Sequence, residues 1–170
     1  IPEVERKNLD DYKRIAEKFN SIGAEAKKEG IRFGYHNHGY GLNNVNGVMP
    51  LDIIFDQTDP SLVYFEMDLY WTIAGGADPV ELFKKHKDRY KMVHIKDMKE
   101  AKRFAGDGGD SSQWISLFPY MTSCGEGVLD LPTILTTAKQ NGVEHFFVEQ
   151  DTVQSPEIAL KKSIDYLKSL

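Results

Sequence analysis

The sequence has almost no cysteine: Cys124 is the single thiol in 170 residues. One thiol forms no internal disulfide and builds no zinc site of several thiolates. Positive charge is also short. Lys plus Arg number 21 against 26 Asp plus Glu, a formal net charge of −5 at pH 7, and neither sign gathers into a block. Nucleic-acid binding, which needs a basic face, is therefore not expected. No apolar run nears the ~18 residues of a membrane span, so no membrane partner is expected either. Ile1-Pro2 carries no initiator methionine and no signal-like segment. The expectation is a processed, trimmed or incomplete soluble chain, with cytoplasm and periplasm both open as its compartment. With 41% apolar and 28% charged residues, the remainder has the balance of a packed domain rather than a disordered one.

The chain alternates amphipathic segments with short apolar runs. Asn8 can cap a helix whose apolar positions are Leu9, Tyr12, Ile15, Ala16, Phe19, Ile22 and Ala26. Gaps of three and four mark one buried face, and Gly30 stops the helix. An apolar run over residues 31–35 follows, ending in His36-Asn37-His38. Residues 39–49 read as a Gly/Asn-rich loop with a turn at Asn46-Gly47, and Pro50 opens a helix to Gln57. The run Leu62-Val63-Tyr64-Phe65 closes with Glu66-Met67-Asp68. Asp78-Pro79 is a cap and first-turn proline for a helix reaching His86. Met92-Val93 lead a third run, ending His94-Ile95-Lys96-Asp97. Residues 98–127 are predicted to be one long irregular segment, the length of a functional lid. Asp130 caps a helix to Gln140, Phe146-Phe147-Val148 leads to Glu149-Gln150-Asp151, and Ser155-Pro156 opens the last helix. A helix followed by four strand–helix units predicts an α/β fold with a parallel sheet. Strands covered by helices read as near-continuous apolar runs, as here.

All four runs end in paired acid/base or metal-compatible side chains: His36 and His38, Glu66 and Asp68, His94 and Lys96, Glu149 and Asp151. The spacing of two puts each pair on one face of its strand. A parallel sheet gathers its C-terminal strand ends on one edge, the rim where closed barrels carry their active sites. Mixed imidazole and carboxylate suits a divalent cation such as Mn, Zn, Co or Fe. Such a cation can polarise a sugar carbonyl and its neighbouring hydroxyl. Glu66 is the weakest member, with pairing to Lys96 as its alternative; Asp97 and Asp151 can equally be helix caps. His86 is expected to be solvated, His145 structural and Cys124 a passive loop thiol. Residues 106–110 read as a flexible loop. Tyr40, Tyr70, Trp71, Phe104 and Trp114 fall in post-strand loops, where they can stack on a sugar or simply pack.

Six segments together resemble the xylose-isomerase-like TIM-barrel superfamily of sugar phosphate isomerases/epimerases, with its inosose dehydratase, ketose 3-epimerase and endonuclease IV relatives. They are Phe33-Gly34-Tyr35-His36-Asn37-His38, Glu66-Met67-Asp68-Leu69-Tyr70-Trp71, Gly76-Ala77-Asp78-Pro79, Val93-His94-Ile95-Lys96-Asp97, Cys124-Gly125-Glu126-Gly127 and Phe147-Val148-Glu149-Gln150-Asp151. The resemblance implies a (β/α)8 barrel, of which this chain looks like units five to eight, the C-terminal portion of one domain. It implies a divalent metal (Mn, Zn, Co or Mg) held by Asp68, His94 and Glu149. His36 stands where the family has a strand-five Glu, with His38 as the other candidate. Trp71 replaces a substrate-binding His of several relatives.

The implied activity is isomerisation or epimerisation of a small sugar or keto-sugar through an enediolate. Glu149, Lys96 and His36 are the catalytic candidates, and His38, Trp71, Tyr70 and Trp114 the substrate-binding ones. Partial burial is expected to make Glu149 more basic, and Lys96 to stabilise the enediolate oxygen. Keto-sugar dehydration and a non-catalytic binding fragment are the rival readings. A nuclease would need more histidines than the five present. Half a barrel would leave open edges, so either a missing N-terminal half or a homo-oligomer is expected to complete it.

Overall fold

A computed structural model describes residues 1–170. A 3₁₀ turn, Glu3–Glu5, precedes helix α1, Leu9–Lys28. Asn8 caps α1 in a reciprocal box with Asp11, and Gly30 follows the helix at φ 73°. Four strands come next in the main sheet: β1 (Phe33–His36), β2 (Val63–Asp68), β3 (Tyr90–Ile95) and, after the short β4 (Asp97–Met98) and β5 (Met121–Thr122), β6 (His145–Val148). The intervening helices are α2 (Pro50–Gln57), α3 (Leu69–Ala74), α4 (Pro79–Lys85), α5 (Ser111–Ile115) and α6 (Leu131–Gln140), and α7 (Pro156–Leu167) ends the chain. The 4-stranded sheet runs β1-β2-β3-β6, every pair parallel. No helix is long and apolar enough to cross a membrane.

Strand alternation separates the two faces of this sheet. Tyr35, Val63, Phe65, Met67, Val93 and Ile95 are buried against Tyr12, Ile15 and Phe19 of α1, Ile54 and Phe55 of α2, Phe83 of α4, and Leu131 and Ile134 of α6. Each large apolar side chain fully removed from water contributes roughly 1.5–3 kcal/mol, which makes this layer the main source of stability. The intervening residues point the other way. On that second face Tyr64 and Met92 are half-buried, and Phe147 is 47% exposed. β1 and β6 each pair on one side only.

Several expectations require correction. Residues 69–74 are helix α3 rather than loop, because the Asp68 carboxylate accepts from the Trp71 amide and caps it. Tyr70 and Trp71 thereby turn inward, 0% and 1% exposed. Residues 98–127 are folded rather than irregular: β4 and β5 pair antiparallel, and α5 and a 3₁₀ turn, Phe118–Tyr120, lie between them. Asp97 does not cap a helix. Its buried carboxylate accepts from the amides of Met98, Gly125, Gly127 and Leu129, tying the two ends of this segment together. A Cβ at Gly127 would come within 2.2 Å of that carboxylate, so glycine is needed there. His86 is not solvated. It is 7% exposed, stacked on Phe55 at 3.8 Å, with Nε2 2.8 Å from Asp52 Oδ1. His145 opens β6 and is exposed. Cys124 is buried, and burial pushes its thiol up to about 11.

Candidate metal centre

The second face of the sheet collects the polar strand ends. His36 ends β1, Asp68 ends β2, His94 lies one residue before the end of β3, and Glu149 follows β6 directly. The register sets His36 opposite Glu66 and Asp68 opposite His94, so adjacent strands deliver the groups at the same height. Ligand atoms of His36, Asp68 and His94 all lie within 4.8 Å of one another. Asp68 Oδ2 is 3.9 Å from both His36 Nε2 and His94 Nδ1. His94 Nδ1 is 2.7 Å from Glu149 Oε2, which brings the fourth strand end into the cluster.

Asp68 Oδ2, His94 Nδ1 and His36 Nδ1 are buried without a directed hydrogen bond, although charged or polar neighbours lie close. Leaving such groups unpaired costs about 1–3 kcal/mol each. Asp68 Oδ2 faces His94 Nδ1 and His36 Nε2, while His36 Nδ1 is turned to Glu66; nitrogen and oxygen lone pairs converging on Asp68 this way, with no thiolate among them, fit a divalent cation. Burial raises the pKa of Asp68 to about 6, against the lowering influence of Lys96 and the Trp71 amide. Burial, then the neighbouring His94, His38 and Lys96, lowers His36 to about 4, so its imidazole is neutral at pH 7. Neutral imidazole is the form that ligates.

Lys96 lies beneath the cluster, its side chain 3% exposed. Its Nζ is 3.1 Å from Asp68 Oδ2, 2.8 Å from Glu149 Oε2 and 2.8 Å from Asp151 Oδ2. Burial acts to lower its pKa, but the carboxylates outweigh it and hold the ammonium above its ordinary value. The same contact corrects the expectation for Glu149. Burial alone would raise its pKa, yet Lys96 and His94 bring it below the ordinary value, so it is a weaker base than a free glutamate. Asp151 is a partner of Lys96 rather than a helix cap, α7 starting later from Ser155.

Glu66 does not pair with Lys96. Its carboxylate sits between the two imidazoles, 3.1 Å from His36 Nδ1 and 3.2 Å from His94 Nε2. The sequence offered the signal, an i, i+2 carboxylate on the face of Asp68, but not the position of both rings. His38, beyond the end of β1, is half-buried. It stacks on Trp71 at 5.8 Å and meets Trp114 edge-on at 4.9 Å. The Trp114 indole N–H donates to the Gly108 carbonyl at 2.6 Å. Trp71 is itself sandwiched by Phe104 at 5.7 Å, and the Tyr70 hydroxyl donates to the Leu117 carbonyl. Tyr70 and Trp71 therefore pack behind the site, and neither has exposed surface for a substrate; His38 and Trp114 retain some. Clefts of about 490 Å³ beside Met49 and Asp78 and about 370 Å³ beside Arg14 lie elsewhere on the molecule.

Comparison with known proteins adds the wider context. A family model described as Xylose isomerase-like TIM barrel matches residues 2–170. Over 154 residues the chain is 30% identical to an inosose dehydratase of Clostridium perfringens, covering 89% of this chain and 50% of that protein. A solved sugar phosphate isomerase/epimerase of Parabacteroides distasonis is 31% identical, with a TM-score of 0.75 over 96% of this chain and 55% of that one. The IOLI protein, solved with a zinc atom, superposes with a TM-score of 0.71 over 95% of this chain and 57% of its own. At 16% identity that likeness speaks for the fold alone. The chain spans about half the length of the curated relatives it matches.

Proposed function

The chain belongs to the xylose isomerase-like TIM barrel family, and from that premise we propose that it is units five to eight of a (β/α)8 barrel whose activity is divalent-metal-dependent isomerisation or epimerisation of a small sugar or keto-sugar. The observation that carries the reading is the convergence of His36, Asp68, His94 and Glu149 from four separate strands, with buried lone pairs unpartnered between them. These four residues would hold the ion, while His38, packed against Trp71 and Trp114, borders the site. When bound, a divalent cation polarises a carbonyl and stabilises the charge that develops as a neighbouring carbon loses its proton.

The chain's own residues supply the proton transfer. Glu149 is charged at neutral pH because Lys96 and His94 favour its carboxylate, so it can accept the proton next to the carbonyl. An enediolate results; a proton delivered to its opposite face by a second acid gives the epimer, whereas return of the proton from Glu149 to the adjacent carbon, with the hydroxyl proton passing to the former carbonyl oxygen, gives the isomer. Lys96 keeps Glu149, Asp151 and Asp68 in place and offsets their mutual repulsion. His38 and Trp114 would border the sugar. The open sheet face and the one-sided pairing of β1 and β6 support completion of the core by an N-terminal half or by a second copy.

Keto-sugar dehydration is the second reading, favoured by the 30% identity to an inosose dehydratase. It shares the first proton abstraction and then expels a hydroxyl. Incubating the zinc- or manganese-loaded protein with keto-sugars in D₂O and following products by NMR separates the two. Deuterium uptake with the carbon skeleton and its hydroxyls intact supports isomerisation, and an enone supports elimination. No divalent ion in the purified or metal-soaked protein would leave only a non-catalytic binding fragment.

A further inference from the structure

We propose that Glu66 is the positioning residue of this metal centre: one carboxylate sets the rotation of both imidazoles, so that His36 faces the ion through Nε2 and His94 through Nδ1. The inference rests on the metal-dependent reading above and concerns a residue to which that reading assigns no part.

Glu66 lies on the central strand β2, between the strands that carry the two histidines, two residues before Asp68 and on the same face. Its Oε2 is 3.1 Å from His36 Nδ1 and its Oε1 is 3.2 Å from His94 Nε2, with the side chain 16% exposed. An ionised carboxylate has only lone pairs, so it favours hydrogen on the ring nitrogen that faces it. At His94, Glu149 Oε2 also stands 2.7 Å from Nδ1, but Glu149 is one of the groups that would hold the ion, which leaves Glu66 as the partner for the second N–H. A neutral imidazole carries one such hydrogen, which leaves the opposite nitrogen bare. Those opposite nitrogens, His36 Nε2 and His94 Nδ1, are the two that lie 3.9 Å from Asp68 Oδ2. The contacts to Glu66 are close without being collinear, so each ring can rotate slightly toward an ion while keeping the same nitrogen on Glu66. The ring centroids are 4.6 Å apart and tilted by 45°, so the two imidazoles touch and one carboxylate can reach a nitrogen of each. Ligating histidines usually donate their second N–H to such a partner, and its loss typically weakens metal binding ~10–100-fold.

The test uses zinc and the whole chain. Zinc affinity is measured by competition with a chromophoric chelator in wild type, Glu66→Gln and Glu66→Ala. Long-range ¹H–¹⁵N spectra of ¹⁵N-histidine-labelled, zinc-loaded protein identify the bound nitrogen of each ring. Signals are assigned by their loss in His36→Gln and His94→Gln. In wild type, His36 is expected to bind through Nε2 with Nδ1–H, and His94 through Nδ1 with Nε2–H. Gln can accept from one ring only and turns an N–H toward the other. Glu66→Gln should therefore weaken zinc binding ~10–100-fold and change the bound nitrogen of one histidine, with the thermal midpoint little altered. Binding of both wild-type histidines through the same kind of nitrogen would overturn the inference while sparing the metal reading. So would a Glu66→Gln affinity within twofold of wild type, or weakened binding with both bound nitrogens unchanged, since Glu66 would then be a ligand rather than an orienter. Failure of wild type to bind zinc would overturn both. The wild-type spectrum decides the matter even if neither variant folds.

Discussion

Replacing Lys96 with methionine isolates the electrostatics of the site. The methionine stem fills the volume of the lysine stem, so the change is mainly loss of one buried positive charge. That charge now sits 2.8–3.1 Å from carboxylate oxygens of Asp68, Glu149 and Asp151. At ~3 Å and an effective dielectric of ~20, one such pair attracts by roughly 5 kcal/mol before desolvation is subtracted. Only the Asp68 pair counts near that scale, because Asp68 is fully buried, whereas the Glu149 and Asp151 side chains are 42% and 33% exposed and screened by water. Removing one partner of a buried pair leaves the other charge stranded, typically at a cost of about 3–5 kcal/mol. Lys96→Met should therefore lower the unfolding free energy measured by urea titration by that amount in the presence of a chelator. Excess zinc should restore part of the loss, since a cation among the same carboxylates takes over the neutralising role. A loss below about 1 kcal/mol, or one that zinc leaves untouched, would refute the account of Lys96 as the charge that holds the carboxylates together.

The proposed metal centre makes a simpler prediction. Zinc at a hundredfold excess over its dissociation constant should stabilise the wild-type chain by about 2.7 kcal/mol, and His94→Ala should abolish that gain in a thermal melt. In the core, Phe65→Ala removes a ring that is 1% exposed and stacked on Phe55 at 3.9 Å. It should cost about 3–5 kcal/mol in urea unfolding, without change in zinc stoichiometry. His86 supplies a pH dependence. Burial, opposed by Asp52, lowers its folded pKa below the ordinary 6.5. The unfolded chain thus takes up the proton first, and the stability held above pH 6.5 should fall as pH drops; His86→Gln should flatten that acid-side slope in urea titrations from pH 7 to 5. Gly127→Ala should destabilise by about 1–3 kcal/mol, because the methyl group meets the Asp97 carboxylate that ties the ends of residues 98–127.

Much of the architecture was legible from local chemistry. Caps such as Asn8, Asp78 and Asp130, each accepting from an early amide of its helix, are decided within a few residues, so α1, α4 and α6 start where the sequence places them. Helix α3 was not legible, because Asp68 reads as the polar end of β2 and the six residues after it are too few to show a helical period. The Asp68 cap together with burial of Tyr70 and Trp71 against Met98, Leu117 and Met121 makes residues 69–74 a helix. The fold of residues 98–127 depends likewise on Asp97 reaching amides far along the chain.

Period-two alternation is a local property of an extended backbone. By itself it determined that His36, Glu66, Asp68, His94, Lys96 and Glu149 would share one face and one edge. Which of these groups touch was decided by tertiary structure alone, because strand order and register set the distances between residues distant in the chain. Lys96 therefore lies among three carboxylates and Glu149 is made less basic, while Glu66 lies between two imidazoles. These are pair interactions that vary steeply over a few ångströms, and a strand pattern specifies the face of a residue but not its neighbours.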